Sequence, residues 1–301
     1  MLELKNPRVA IPIVLFAGLL WSLGPLVVRN MENPHLVPWQ YIFGRGLTIF
    51  ILLNLYLFFE EGKNFYKNYY KIGLSGVIGG SGLGVAMIAF IYSITNTSAA
   101  VTLLCLAAMP FFTALLAFLF LREKISINVW ISIIIATVGI VIMAIGNSGE
   151  KSLIGFVFGL TSSIGFSVFS VTLRWRKETP KFTTVAVAGC FCFIFATLMI
   201  LITKQPFFST SYNSTMFSLH GTLVCFGLIL YSIGSKAIPA AELTLLSLTE
   251  VIGGIFWVWL PLFGINEVPS TFTIVGGFFL FISLIYYSLI MRWNKRYIAL
   301  N

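Results

Sequence analysis

Long apolar stretches are the feature that most constrains this chain. Ten stretches of about 20 residues follow one another with short connections between them. A helix of that length crosses the hydrocarbon core of a bilayer, whereas a barrel strand is shorter and alternates apolar with polar side chains. The sequence therefore predicts an all-α membrane protein whose ten helices lie near residues 10–29, 37–59, 70–93, 98–121, 127–146, 153–173, 182–203, 215–236, 240–263 and 270–291.

Composition argues against a soluble enzyme or a nucleic-acid-binding protein. Hydrophobic residues make up 58% of the chain and charged residues 10%, against about 25% charged in soluble domains. The net charge of +9 comes from basic residues that lie between apolar stretches, as in membrane proteins, so we expect no nucleic-acid partner. The sequence contains no nucleotide-binding loop, nucleophile constellation or metal-ligand spacing. We expect no cofactor, no metal and no enzymatic activity.

The basic residues predict how the helices are oriented. If the amino terminus is cytoplasmic, the inner segments hold fifteen of the nineteen Lys and Arg, the outer loops hold three, and Arg45 lies inside a span. Cytoplasmic loops of membrane proteins carry such an excess. We therefore expect a multi-pass protein of the bacterial inner membrane with both termini in the cytoplasm. The first stretch lacks a small-residue cleavage site, so we expect no cleaved signal peptide.

Four short motifs occur twice in the same order, 139 to 144 residues apart. They are Tyr92-Ser93-Ile94 with Tyr231-Ser232-Ile233, Ala99-Ala100 with Ala240-Ala241, Thr102-Leu103-Leu104 with Thr244-Leu245-Leu246, and Glu123-x-x-Ser126 with Glu267-x-x-Ser270. The repetition predicts two five-helix domains, residues 1–149 and 150–301. Because five is odd, the two halves are inverted repeats, a common construction of secondary transporters. Each motif serine is placed to cap the following helix.

Several motifs follow the pattern of one transporter family. They are Trp21-Ser22, Pro38 followed by Arg45, Pro110-Phe-Phe-Thr-Ala-Leu-Leu-Ala117 and Leu121-Arg-Glu123. With these motifs the chain resembles the EamA-type, ten-helix branch of the drug/metabolite transporter superfamily. Where the family has Glu-Pro-Val in the ninth helix, this chain has Glu250-Val251 without the proline. The resemblance implies alternating access around a central cavity, walled mainly by the first, third, fourth, sixth, eighth and ninth spans. It also implies efflux of amino acids or related metabolites.

Glu250 is the strongest candidate for a substrate-binding residue. It lies about ten residues into the ninth span, which is near the bilayer midplane at about 1.5 Å per residue. An ionisable group at that depth usually faces a cavity, a partner or a proton path. Ser247 and Trp257 share its face at helical spacing and are further candidates. We expect Glu250 to bind a substrate amine or a proton, with a purely structural glutamate as the alternative.

Five other residues are candidates for substrate binding. Arg45 is a lone basic residue within a span, and its partner is left open among a substrate carboxylate, Glu250 and Glu242. The remaining four are Trp21, which is deep enough to line a cavity; Tyr92 and Tyr231, for which an interfacial belt is the alternative; and Ser163, whose hydroxyl suits either packing or substrate. The histidines, His35 and His220, are expected near the outer surface without a role.

Prolines and glycines within spans are candidates for gating and packing. Pro25 and Pro110 each remove a backbone hydrogen bond and favour a kink. The third span contains Gly76, Gly80 and Gly84 at four-residue spacing. Small residues at that spacing let membrane helices approach closely. We expect this stripe to serve packing, on a surface that also suits sliding during gating.

Together these features predict a secondary active or facilitative transporter of small polar metabolites, namely amino acids or related amines, working in the export direction. Its expected partners are a small-molecule substrate and membrane lipids, while uniport and proton antiport both remain open. We expect a monomer and leave a dimer open. The alternatives are an uptake carrier for a cationic or zwitterionic solute and, in another class, a non-transporting receptor or a lipid flippase-like scaffold.

Overall fold

A computed structural model describes residues 6–122, 127–146, 150–176, 178–238 and 240–299. These residues form α-helices joined by short connections, and no strand occurs within the described ranges. In chain order the helices are α1 (Pro7–Ser22), α2 (Gly24–Arg29), α3 (Pro38–Glu61), α4 (Lys67–Lys71), α5 (Gly73–Asn96), α6 (Ala99–Leu106), α7 (Met109–Leu121), α8 (Ile127–Gly146), α9 (Glu150–Trp175), α10 (Lys181–Thr203), α11 (Ser211–Gly234), α12 (Ala240–Leu246), α13 (Thr249–Trp259) and α14 (Thr271–Ala299).

The helices of the described ranges form nine spans long and apolar enough to cross a membrane, followed by a shorter apolar stretch, Thr271–Tyr287. The prediction of an all-α membrane protein of about ten helices is confirmed. We number the spans 1 to 10 along the chain. Spans 1, 4 and 9 each consist of two helices, α1 with α2, α6 with α7, and α12 with α13. The other spans are α3, α5, α8, α9, α10, α11 and α14, and the short α4 lies between spans 2 and 3.

Two of the three broken spans are interrupted next to a proline. Span 1 breaks at Leu23 and span 4 breaks after Leu106, and each second helix carries Pro25 or Pro110 in its first turn. Proline is favoured there because the first amides of a helix have no intrahelical acceptor. The predicted kinks are therefore present as short interruptions, at which the backbone stays in the right-handed helical region. The third break, after Leu246 in span 9, occurs without a proline.

Helix packing joins the two halves of the chain rather than separating them. Each of the main contacts pairs a helix from spans 1 to 5 with a helix from spans 6 to 10. The pairs are α5 with α9 and α10, α3 with α10 and α11, α8 with α14, α1 with α11 and α13, and α7 with α9. The broken helices thus lie between elements of both halves.

Glycines allow α5 to approach α10 closely. Gly80 and Gly84 lie against α10, and Gly76 lies against Thr179, just before that helix. A Cβ on Gly80 would lie 2.9 Å from the carbonyl oxygen of Thr184 in α10. Because an alanine at this position would meet backbone, the close approach of α5 and α10 requires glycine.

A close backbone contact between two glycines gives a stability prediction. A Cβ on Gly139 in α8 would lie 2.6 Å from the carbonyl oxygen of Gly276 in α14. We expect Gly139→Ala to separate these helices and to destabilise the protein by about 1–3 kcal/mol, the usual cost of overpacking. The measurement is the midpoint of thermal unfolding in detergent. Val141→Ile is the matched control, because it adds one carbon on an exposed face of the same helix. Equal midpoints for the two variants would contradict this packing.

Candidate functional site

A small cavity of about 60 Å³ lies between spans 1, 2, 3, 4, 6, 8 and 9. Ligand pockets commonly measure about 300–1,000 Å³, so the walls must move apart before a metabolite fits. Most of the wall is apolar or aromatic, with rings from Trp21, Phe90 and Phe166. Its polar lining residues are Arg45, Ser162, His220 and Glu250. The cavity therefore combines a large apolar surface with one acidic and one permanently basic side chain.

Glu250 faces this cavity from the break in span 9. It lies in the first turn of α13, and its amide donates to the carbonyl of Ser247 at 2.9 Å. Ser247 is fully buried in the break, where its hydroxyl donates to the carbonyl of Thr244 at 2.8 Å. The amides at a helix amino terminus favour a carboxylate in the first turn. Within the described ranges the Glu250 carboxylate forms no salt bridge, and it is directed towards the cavity.

Arg45 enters the same cavity from α3. Its side chain is 5% exposed, and Cζ lies 5.6 Å from the centroid of the Phe90 ring, a cation–π distance. Among the residues that the structure describes, Nη1 has no hydrogen-bond partner and no salt bridge joins Arg45 to Glu250. A buried charge without a partner costs several kcal/mol. A basic and an acidic side chain therefore face one cavity, close enough to interact electrostatically but without a salt bridge between them.

His220 is a cavity residue that the sequence analysis missed. It is 2% exposed, and its Nδ1 shares a hydrogen bond with the hydroxyl of the buried Tyr41. The expectation of an outer position was wrong because α11 begins at Ser211, earlier than predicted, which places His220 about 14 Å along the helix. Thr210 could have indicated this start, since its hydroxyl accepts the Asn213 amide at 3.2 Å and caps the helix.

Two predicted aromatic residues form one cluster at the wall. Trp21 lines the cavity, and its Nε1 donates to the carbonyl of Val224 at 3.3 Å. Tyr231 packs behind it with ring centroids 5.6 Å apart, and its hydroxyl is hydrogen bonded to Ser170 at 2.9 Å. Tyr231 is fully buried, so an interfacial belt does not describe it. It supports the position of Trp21 rather than lining the cavity.

The other predicted side chains lie behind the wall. Ser163 donates to the carbonyl of Cys105 at 2.9 Å, next to the break in span 4. Trp257 donates through Nε1 to the hydroxyl of Ser22 at 3.0 Å, next to the break in span 1. Tyr92 is half-buried among aromatic rings of α3 and α9. Ser163 and Trp257 thus stabilise the irregular backbone around the cavity.

The capping prediction is testable for one of the two Glu-x-x-Ser motifs. Glu123 and Ser126 lie outside the described residues. Ser270 accepts the amide of Thr273 at 3.2 Å and caps α14, which confirms the prediction for that serine. Glu267 takes no part in this cap and forms the salt bridge described below.

Comparison with known proteins identifies relatives over part of the chain. Residues 8–145 match the EamA-like transporter family. Proteins from two strains of Helicobacter pylori are 29% and 28% identical over 203 residues, and a protein from Clostridium kluyveri is 30% identical over 148 residues. All three are named as uncharacterized transporters. The Helicobacter alignments span 66% of this chain and 66% of each relative, just under two thirds of their length.

A solved crystal structure shares the fold over almost the whole chain. Its TM-score is 0.61 at 17% identity, and the alignment covers 95% of this chain and 99% of the other. At this identity the likeness concerns the fold alone. The first half of the chain, residues 8–145, is similar to the EamA-like transporter family. The relatives named as transporters support an EamA-type transporter of the drug/metabolite transporter superfamily.

Proposed function

We propose that this protein is a secondary transporter of small zwitterionic metabolites, amino acids or related amines, and that Arg45 and Glu250 bind the two charged groups of the solute. The carrying observation is that both side chains face one cavity without a salt bridge between them. A carboxylate on the solute gives the guanidinium bidentate hydrogen bonds, and an ammonium group pairs with the Glu250 carboxylate. A zwitterion thus offsets the cost of burying each charge, which neither a cation nor an anion does alone.

The apolar wall supports a solute with an apolar or aromatic side chain. Besides the rings of Trp21, Phe90 and Phe166, the thioethers of Met87 and Met109 line the cavity. Methionine and aromatic side chains adapt to irregular apolar groups and reward their burial. We expect affinity to rise with the apolar area of the solute side chain, by about 25 cal/mol for each Å² buried.

The packing of the helices supports transport by alternating access of two inverted repeats, residues 1–149 and 150–301. If the two halves are equivalent, each span of the first half corresponds to the span five positions later in the second half. Spans 2 and 7 correspond to each other and are in contact, and the same holds for spans 5 and 10. The contact between spans 3 and 6 corresponds to the contact between spans 8 and 1, which is also present. The breaks in spans 4 and 9 are likewise equivalent. Discontinuous helices around a site between repeats are typical of secondary transporters.

The distribution of basic residues supports cytoplasmic termini in a bacterial inner membrane. Arg29, at the end of span 1, then lies at the outer face. For the direction we propose export, as in the family pattern. Uniport and proton antiport remain alternatives for the energy source, and Glu250 is the group at which a proton and a substrate amine would compete.

A ligand screen by thermal shift tests the proposed substrate class. Purified protein is heated with amino acids, the corresponding amines, the corresponding deaminated acids, nucleosides and osmolytes. A ligand at 100 times its Kd stabilises by about 2.7 kcal/mol through mass action. We expect the largest shifts from amino acids with apolar side chains, and smaller ones from analogues that lack either charged group.

Other outcomes would overturn the proposal in distinguishable ways. A larger shift from amines than from amino acids would indicate a cation carrier and leave Arg45 without a ligand role. Stabilisation by lipids alone would favour the flippase-like scaffold. Binding of an amino acid without its movement into or out of proteoliposomes would favour a receptor.

A further inference from the structure

A salt-bridged arginine fastens the end of the short helix α2. Arg29 Nε lies 2.9 Å from Glu267 Oε2, in the connection between spans 9 and 10. The same guanidinium donates to the carbonyl of Ile94 at 2.7 Å and to that of Thr97 at 2.9 Å, at the end of span 3. Glu267 Oε1 also accepts the amide of Ala99, the first residue of span 4, at 2.6 Å. Two side chains thus tie together the ends of spans 1, 3, 4 and 9.

The hydrogen bonds of Arg29 and Glu267 are strong enough to hold the helix ends together, but water can replace them. They are charge-assisted hydrogen bonds, which are roughly twice as strong as neutral ones. Arg29 and Glu267 are each 21% exposed, so they are neither deeply buried nor free in solvent. The carbonyls and the amide they contact belong to helix ends, which lack intrahelical partners. When the network breaks, water can form hydrogen bonds with the freed carbonyl, amide and charged groups. The free-energy cost of breaking it is therefore moderate.

The network lies directly beyond the cavity. Phe90 lines the cavity, and Ile94 is one helical turn further along α5, about 6 Å away. On span 1, α2 runs from Gly24 to Arg29, about 8 Å along the helix. A Cβ on Gly24 would lie 2.7 Å from Nε2 of the cavity residue His220. α2 therefore contacts the cavity wall at one end and carries the salt bridge at the other.

From this arrangement we infer that α2 is a mobile outer gate of the transporter, pivoting at the break at Leu23, with the Arg29–Glu267 network as its latch. The assignment of this end as outer rests on the proposed function and its orientation. Releasing the latch breaks the polar bonds of Arg29 to spans 3 and 9 at one step, because one guanidinium makes all of them. What then holds α2 is its apolar packing against α5, α11 and α13. At Leu23 the regular hydrogen bonding between α1 and α2 is interrupted, while the backbone stays in the right-handed helical region.

The direct test measures access to the cavity from each face of the membrane. Met87 in the cavity wall is replaced by cysteine as a reporter, and the protein without this reporter gives the labelling of its own cysteines. A membrane-impermeant thiol reagent is applied to intact cells, and separately to inverted vesicles. We expect Arg29→Gln to raise the labelling rate from the outer face about tenfold, because the latched state loses its charge-assisted bonds.

The control is Lys204→Gln, which removes an exposed positive charge from a connection on the same side of the protein. It should leave labelling unchanged. If Arg29→Gln does not fold, Glu267→Gln removes the same salt bridge and should raise outer labelling in the same direction. Unchanged labelling in whichever variant folds, or an increase from the inner face alone, would overturn the inference. Labelling needs no substrate, so a failure of the proposed transport function leaves this result readable.

Discussion

Glu250→Gln is expected to weaken zwitterion binding by about 30-fold or more and to reduce transport in proteoliposomes accordingly. Glutamine keeps the shape of glutamate but removes the charge that pairs with a substrate ammonium group. Losing one partner of a buried charge pair costs about 2 kcal/mol or more, and each 1.4 kcal/mol is a factor of ten in Kd. The measurements are Kd for the amino acid that gives the largest thermal shift, and its rate of transport.

A deaminated analogue separates charge recognition from general damage to the site. It has the same carboxylate and side chain but no ammonium group, so Glu250→Gln should not weaken its binding. Glu178→Gln is the matched control, since Glu178 is exposed in the connection between α9 and α10. Unchanged rate, affinity and pH dependence of transport in Glu250→Gln would refute the assigned role.

Arg45→Met is expected to abolish zwitterion binding while leaving the protein as stable as before, or more stable. Methionine is also long and unbranched but carries no charge. The guanidinium is 5% exposed and Nη1 has no partner among the described residues, so the cation–π contact with Phe90 recovers only part of the free energy that its burial costs. Replacement of buried ionic groups by apolar ones is often neutral or stabilising by about 1–4 kcal/mol. The paired measurements are Kd and the midpoint of thermal unfolding.

These two measurements distinguish a binding role from a structural one. If Arg45 held the helices together, Arg45→Met would lower the unfolding midpoint, and weaker binding would follow from that loss. If Arg45 binds a carboxylate, decarboxylated amines should keep their affinity in the variant. Arg45→Lys should bind the zwitterion more weakly than the unsubstituted protein but more tightly than Arg45→Met. Lysine keeps the charge but lacks the planar guanidinium that binds a carboxylate with two hydrogen bonds.

Several parts of the fold could be predicted because they depend on local sequence. Span positions follow from apolar length, since a bilayer requires about 20 apolar residues whatever their neighbours. The breaks at Pro25 and Pro110 follow from the missing amide of proline. The break in span 9 carries no such marker, and the hydroxyls of Ser247 and Thr249 donate there to carbonyls of α12. A serine or threonine in a helix does not by itself indicate a break.

Some residues of the candidate site could likewise be predicted from the sequence, whereas others could not. The charge and depth of Glu250 and Arg45 could be read along the chain, because an ionisable group in a span is rare and costly. His220 was missed, since a difference of one helical turn in the start of α11 decides whether it lies at the surface or at the cavity. Ser163 and Trp257 were candidates for substrate contact, with packing as the alternative for Ser163, and both bond to the interrupted helices. Which face of a helix meets a cavity depends on packing partners from the other half of the chain.

The sequence alone determined that this protein is helical, lies in a membrane and carries one acidic and one basic residue at depth, because the cost of placing polar groups in hydrocarbon acts on each segment separately. Only the tertiary structure decided that Arg45 and Glu250 face a common cavity without pairing, and that Arg29 meets Glu267, 238 positions away. Such contacts depend on how ten similar helices pack. In a bilayer, where apolar faces are interchangeable, that choice rests on glycine contacts and a few polar bonds distributed over the whole chain.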